Sequence, residues 1–394
     1  MILFDIIIFV LCLFVGFKFK KLFSFFNKED HMILNNLFLY HLLFSIIFHF
    51  VIVTQGGDPT NYWFKTYEFR FYDFETTLDL FLNGSPTGTI LLFNYLPAKI
   101  LGISFFVGNI MYATISFLGF VYFYFVLRTL ISPIDSLKEF KVARIPIFPT
   151  LLFLPNLHFW TGGISKDSLL FFCIGLFAYG MLNIKKRILP IGIAIVISLL
   201  IRPHITLFLI VAFGAGFLID GNLKSYQKLL ISLVFLIGFV SIFNYVLQFI
   251  QLENLELETL DQYTSRKSEG LGKNSNSGID ISSYPYPLKV FTFLYRPLFF
   301  DSPNIMGILA SLENLVVLVF TVLILRNRPF RWFKRSNAVI KGLVLFFFAG
   351  VATFPLILGN LGIMLRQKNM FMPMLILFGF WVIYCNNKNL FVEK

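Results

Sequence analysis

The sequence predicts an all-α protein, a polytopic bundle of transmembrane helices. Three features carry that reading. Of its 394 residues 57% are hydrophobic and only 14% charged, against about 25% charged in an average soluble domain, so too few polar side chains exist to cover a water-facing surface. Its apolar runs are about 15 to 24 residues long, the length that crosses a hydrocarbon core about 30 Å thick. Those runs, such as LVVLVFTVLIL at 315–325, are apolar on every face, whereas the strands of a membrane barrel alternate.

Taken in order, the predicted spans are 3–17, 33–54, 105–127, 145–160, 167–184, 188–202, 205–219, 228–250, 303–325, 337–358 and 369–385, about eleven in all within a single integral membrane domain, 1–394. The first carries Asp5 at its start and Lys18, Lys20 and Lys21 behind it. That order reverses the basic start of a secretory signal and predicts a retained anchor with its N-terminus outside. Residues 88–104 are read as a re-entrant or interfacial helix broken at Pro97, because a full span there would put the basic stretch 128–144 outside.

On that topology 21 of the 33 Lys+Arg but only 6 of the 21 Asp+Glu lie inside, with the C-terminus cytoplasmic. The bias follows the positive-inside rule. It accounts for the net charge of +12 with no nucleic-acid partner. Basic patches such as Arg326, Arg328, Arg331, Lys334 and Arg335 then read as topology signals beside anionic lipid headgroups. Cys12, Cys173 and Cys385 lie singly in apolar runs and suit packing or lipid-facing positions; no spacing of ligand types suits a metal, and no cofactor motif is present.

Two outside loops are long. Residues 55–104, aromatic and acidic, predict interfacial amphipathic helices. Residues 251–302 run from an acidic stretch into SEGLGKNSNSGID, which has little to bury and predicts a mobile loop.

Ionisable residues at span ends carry the functional signal, since burying a charge in lipid is costly unless it is paired or wet. All the notable ones fall on the outer side: Asp58 in QGGDPTNYW, Lys166 and Asp167 in FWTGGISKD, Arg202 and His204 in LLIRPHITL, Arg296 in YRPLFF, and Arg366 with Lys368 in GNLGIMLRQK. Asp58, after two glycines and before Pro59, suits a general base for an acceptor hydroxyl, or a cap for a helix beginning near Thr60. Asp167 suits a helix cap with Lys166 reaching a headgroup, or both meet substrate. Arg202 between two short spans is expected to be paired or to hold an anion. His204 fits a packing role or a ligand role. Arg202, Arg296, Arg366 and Lys368 together could clamp a phosphate or pyrophosphate.

The Gly-Gly-Asp in the first outside loop, Tyr62 behind it, the many short spans and the late outside Arg resemble the GT-C class of membrane glycosyltransferases. FWTGGISKD, IRPH, YRPLFFDSPN and GNLGIMLRQK are similar to segments of multispanning bacterial polysaccharide-assembly proteins, some of them polymerases. An extra anchor ahead of the Asp58 loop departs from the pattern. The resemblance implies a bacterial inner-membrane enzyme, a polyprenyl-phosphate-linked sugar donor, a glycan acceptor, an outer-face site, Asp58 as base and Arg366 as a donor-phosphate ligand. A second acid, Asp167 or Asp301, is also implied. A transporter or flippase for lipid-linked saccharides, and a non-catalytic scaffold, are the alternatives from other classes.

Overall fold

The computed structural model describes residues 2–67, 73–142, 144–220, 278–281, 283–301 and 305–388, with scattered positions between 224 and 239. The predicted span 228–250 and the loop 251–277 therefore lie largely or wholly outside the described residues. The fold is all-α, with one two-residue ribbon, Lys141–Val142 against Ile145–Pro146, among the described residues. The chain divides into two compact units, 1–128 with 141–202, and 129–140 with 203–394.

In the first unit, α1 (Ile2–Lys18) leads to α2 (Lys28–Gln55), and three short helices follow: α3 (Asp58–Tyr67), α4 (Phe74–Leu82) and α5 (Pro86–Asn94). Asn27 and Asp30 start α2 by exchanging side-chain and backbone hydrogen bonds of 2.9 Å, the reciprocal cap that satisfies otherwise orphaned amides. Ser85 caps α5, which passes at Tyr95–Ile100 into a π turn with Pro97 buried inside it. The break expected at Pro97 is thus a π turn. Then comes α6 (Phe105–Leu130), the most enclosed of the long helices.

Residues 145–160, expected as one span, are instead several pieces: α7 (Ile147–Thr150), a 3₁₀ turn over Leu151–Phe153, and α8 (Pro155–Thr161). Pro146, Pro149 and Pro155 are the reason, since each removes an amide donor and blocks helix propagation. The following α9 (Lys166–Met181) and α10 (Ile188–Ile201) form a hairpin. At about 1.5 Å per residue they are about 24 and 21 Å long, less than the hydrocarbon core.

The second unit holds α11 (Pro203–Ile219), α12 (Tyr286–Tyr295), α13 (Ile305–Arg326), α14 (Pro329–Arg335), α15 (Ala338–Ile357), α16 (Leu361–Lys368) and α17 (Met372–Asn387). The helix α12 occupies part of what the sequence suggested as the mobile loop 251–302. In α11 and α15 the directions are opposed: Asp220 accepts from the Ala338 amide at 2.9 Å, while at the other end the His204 and Phe354 rings lie 6.1 Å apart.

Among the described residues five helices are long and apolar enough to cross a membrane: Ile2–Leu22, Lys28–Gln55, Phe105–Leu130, Ile305–Arg326 and Ala338–Ile357. A sixth is added if α16 and α17, bent by 55°, count as one broken span. Large apolar side chains remain exposed along α1 and α13, including Ile2, Phe4, Phe14, Ile305 and Leu325, as expected where the surrounding solvent is lipid. The protein is therefore a helical membrane protein.

Candidate functional site

Hydrogen bonds give the first unit two chemically distinct ends. At one, Asp5 accepts from the Ser104 amide at 2.8 Å, and Asn109, near the start of α6, bonds His49 of α2 at 3.1 Å and the Ile164 amide at 3.0 Å. At the other, Asp30 meets Arg128 at 2.8 Å and accepts from Tyr124 at 2.6 Å, while the Arg187 guanidinium lies 3.9 Å from the Tyr179 ring centre. Lys18, Lys20, Lys21 and Lys28 belong to this second end, with Lys185 and Lys186. Asp58, Tyr62, Lys166, Asp167 and Arg202 gather at the first.

The turn that presents Asp58 depends on its glycines. Gly56 and Gly57 have φ of 74° and 135°, a region where a side chain is strained. They end α2 and redirect the chain, so that α3 begins at Asp58 itself, with the Asp58 carboxylate exposed. Asp58 thus stands within the first turn rather than ahead of it. Thr60 fixes the turn by donating both its amide, at 3.2 Å, and its hydroxyl, at 2.7 Å, to the Gly57 carbonyl.

Four contacts link α3, α5, α9 and the end of α10 to one another. The Lys166 ammonium lies 5.5 Å from the Tyr62 ring centre, the Tyr62 carbonyl accepts from Asn94 at 3.0 Å, Thr89 donates to the Leu200 carbonyl at 2.8 Å, and Arg202 meets Asp167 at 3.0 Å. Because Lys166 and Asp167 are neighbours, these contacts close a circuit. The cap expected of Asp167 belongs to Ser165, whose hydroxyl accepts from the Ser168 amide at 3.0 Å. This leaves the Asp167 carboxylate to Arg202.

His204, Arg296, Arg366 and Lys368 fall in the second unit. His204 is half-buried beside the rings of Phe208 and Phe354. Arg296 closes on Asp301 through two nitrogens, one of them 2.9 Å from its partner oxygen, and Asp301 also accepts from the Leu298 amide at 2.6 Å. The hydrogen bonds it donates to Asp301 hold the Arg296 guanidinium above its ordinary value. For Asp301, burial pushes the carboxyl up, but the Arg296 and Leu298 hydrogen bonds outweigh it and hold it below the usual range.

Lys368 is fully enclosed. Its ammonium donates to the Leu294 carbonyl at 3.1 Å and to Asn314, and buried Glu313 lies close enough to act on it electrostatically. Arg366, two residues earlier, is half-buried on α16. The four cations expected to form one phosphate clamp are thus individually committed in three cases: Arg202 to Asp167, Arg296 to Asp301, and Lys368 to the interior of its unit.

Several polar groups stand out only in three dimensions. Asn314 donates to the Pro297 carbonyl at 2.8 Å, and Glu313 neighbours it on α13. His41 and His158, both wholly buried, meet through their Nδ1 atoms at 2.9 Å. Their signal in the sequence is an ionisable residue inside an apolar run. No set of three or more metal-ligating side chains gathers among the described residues.

The helical bundle, with its charge-bearing ends, defines the class as an integral membrane protein. Comparison with protein-family models, with curated proteins and with solved structures finds no match.

Proposed function

We propose that this protein is a bacterial inner-membrane glycosyltransferase or polysaccharide polymerase that takes polyprenyl-phosphate-linked sugar donors at the membrane's outer face. The observation that carries the reading is the exposed carboxylate of Asp58 at the same end of its unit as Tyr62, Lys166 and Arg202. The concentration of lysines at the opposite end supports an orientation with the Asp58 end outside and the N-terminus with it. With the shorter α9, α10 and α11 crossing where the bilayer is locally thinned, and the bent α16–α17 pair counted as one, the described residues supply nine of the eleven expected crossings.

Chemically, Asp58 removes the proton of the acceptor hydroxyl as oxygen attacks the anomeric carbon. The bond from that carbon to the donor phosphate breaks, and a cationic side chain stabilises the growing charge on the departing lipid phosphate. Arg202, held by Asp167, supplies a preoriented positive group at the Asp58 end.

In the parent organism, deletion is expected to accumulate polyprenyl-diphosphate-linked saccharide in the outer leaflet, read by impermeant periodate oxidation of intact spheroplasts and mass spectrometry of the lipid extract. Asp58→Asn should reproduce the deletion at unchanged protein abundance, losing about 10²- to 10⁴-fold in product formation. An unchanged lipid-linked pool in the deletion strain overturns the reading. Accumulation confined to the inner leaflet selects a second one, a transporter of lipid-linked saccharides. That alternative is favoured by the wholly buried His41 and Lys368, since transporters carry ionisable groups inside the bundle.

A further inference from the structure

The buried histidine pair stands where an ionisable group needs a reason. His41 lies midway along α2, and His158 lies in the short α8. Around them are Phe117 and Phe120 of α6, with Phe120 stacked on the His158 ring at 4.5 Å and 4°, and Tyr40 edge-on at 5.0 Å. Tyr40 is the one other titratable side chain in ring contact with the pair among the described residues.

Every ring nitrogen has a partner. His158 Nε2 is 2.8 Å from the Leu152 carbonyl, the two Nδ1 atoms are 2.9 Å apart, and His41 Nε2 is 2.9 Å from the Ser116 hydroxyl. A carbonyl only accepts, so His158 Nε2 carries a proton. In an apolar enclosure with no counter-charge among the described residues the uncharged ring is favoured, which leaves His158 Nδ1 as an acceptor. His41 Nδ1 must then donate, and His41 Nε2 must accept from Ser116. Among the neutral forms, this one assignment gives all four ring nitrogens a complementary partner.

The chain of contacts continues. The Ser116 oxygen is 2.7 Å from the Thr161 carbonyl, and Ser168 also reaches that carbonyl at 3.0 Å, as well as the Gly163 carbonyl at 2.6 Å. The one Ser116 proton is shared among His41, the Thr161 carbonyl and the Ala113 carbonyl at 2.9 Å; when it is directed at His41, Ser168, in the first turn of α9, is the other hydroxyl that reaches the Thr161 carbonyl, sharing its own proton with Gly163. Residues 161–165 are all buried, and non-helical backbone at such depth persists only where protein satisfies it.

We infer that His41 and His158 are a neutral pair locked in opposite tautomers, protonated on Nδ1 and Nε2 respectively, and that they position the buried turn from which Lys166 and Asp167 project. The positional consequence rests on the proposed function, because that reading places Lys166 and Asp167 at the substrate site. The tautomers do not.

The test uses full-length protein with ¹⁵N-labelled histidine in lipid nanodiscs at neutral pH. The expected spectrum gives each of the two rings one protonated and one bare nitrogen, with an N–N coupling across the His41–His158 hydrogen bond; assignment uses the single variants His41→Asn and His158→Gln. A charged ring at either position, or the same tautomer at both, overturns the assignment. The positioning role is read by backbone hydrogen exchange. His158→Phe should speed exchange at 161–168 at least about tenfold while 110–127 stays protected, and His158→Gln, which keeps the donor to Leu152, should speed it less. Unchanged exchange at 161–168, or an equal rise in both segments, removes the positioning role. Both readouts are independent of any glycosyl transfer.

Discussion

The guanidinium of Arg202, at the end of α10, reaches the carboxylate of Asp167, in the first turn of α9, at 3.0 Å. Both side chains are largely withdrawn from the surface, at 13% and 3% exposure. An ion pair so enclosed fixes the open end of the α9–α10 hairpin, and through Lys166 and Tyr62 it is continuous with α3. This arrangement predicts strong coupling. Asp167→Asn and Arg202→Met should each destabilise by up to about 3–5 kcal/mol, because each leaves the opposite charge buried alone. The double variant should cost less than the sum of the two, measured by thermal unfolding in detergent. Additive losses would show that the pair is not coupled.

The orientation proposed for the first unit predicts one-sided labelling. In a cysteine-free background, a cysteine at Asn83, exposed in the turn after α4, should react with an impermeant thiol reagent in intact cells. One at Asn183, exposed between α9 and α10, should react only after permeabilisation. The reverse pattern would invert the membrane orientation and remove the outer-face site.

The Arg296–Asp301 clasp predicts an acid-dependent loss of stability. Asp301 is held below its ordinary value in the folded protein, so its contribution is fully present above the unfolded aspartate value of about 3.9 and is lost as pH falls through the lowered folded value. The difference in unfolding temperature between the parent and Asp301→Asn should therefore be constant near neutrality and shrink below about pH 4. A difference unaltered by acid would mean that the carboxylate charge contributes nothing.

Space at two glycines predicts opposite effects of the same substitution. A methyl group at Gly163 would collide with Phe48 and lie 2.5 Å from the Asn109 oxygen that holds the Ile164 amide. Gly163→Ala should therefore cost about 1–3 kcal/mol by overpacking. Gly192, inside α10, has no atom within 4 Å of the added carbon, and Gly192→Ala should be neutral or stabilising by up to about 1 kcal/mol. Thermal unfolding of the two variants side by side reads the contrast, and a destabilised Gly192→Ala would contradict the open geometry.

Much of this protein is determined by its sequence alone. The apolar runs at 3–17, 33–54, 105–127, 303–325 and 337–358 are helices because a long apolar segment in lipid satisfies its backbone groups internally. The opposition of Lys18, Lys20 and Lys21 to Asp58 was likewise legible, since charge cannot cross the membrane cheaply and must stay near the helix end where it is written. Arg202 could be expected to find a partner for the same reason, though its sequence neighbours did not name one.

Tertiary packing decided the rest. The run at 145–160 has the hydropathy of a span, but its prolines and the waiting side chains of His41, Ser116 and Asn109 make it a folded-in segment ending in a buried turn. Hydropathy counts apolar area and is blind to such specific hydrogen bonds. Likewise, the sequence offered Arg202, Arg296 and Lys368 as cations available to one anion, while the fold matched Arg202 with Asp167, Arg296 with Asp301 and Lys368 with Leu294, Asn314 and Glu313. Charge pairing falls off within a few ångströms. Which opposite charge lies that near is set by how helices distant in sequence pack, and composition, periodicity and spacing hold no record of it.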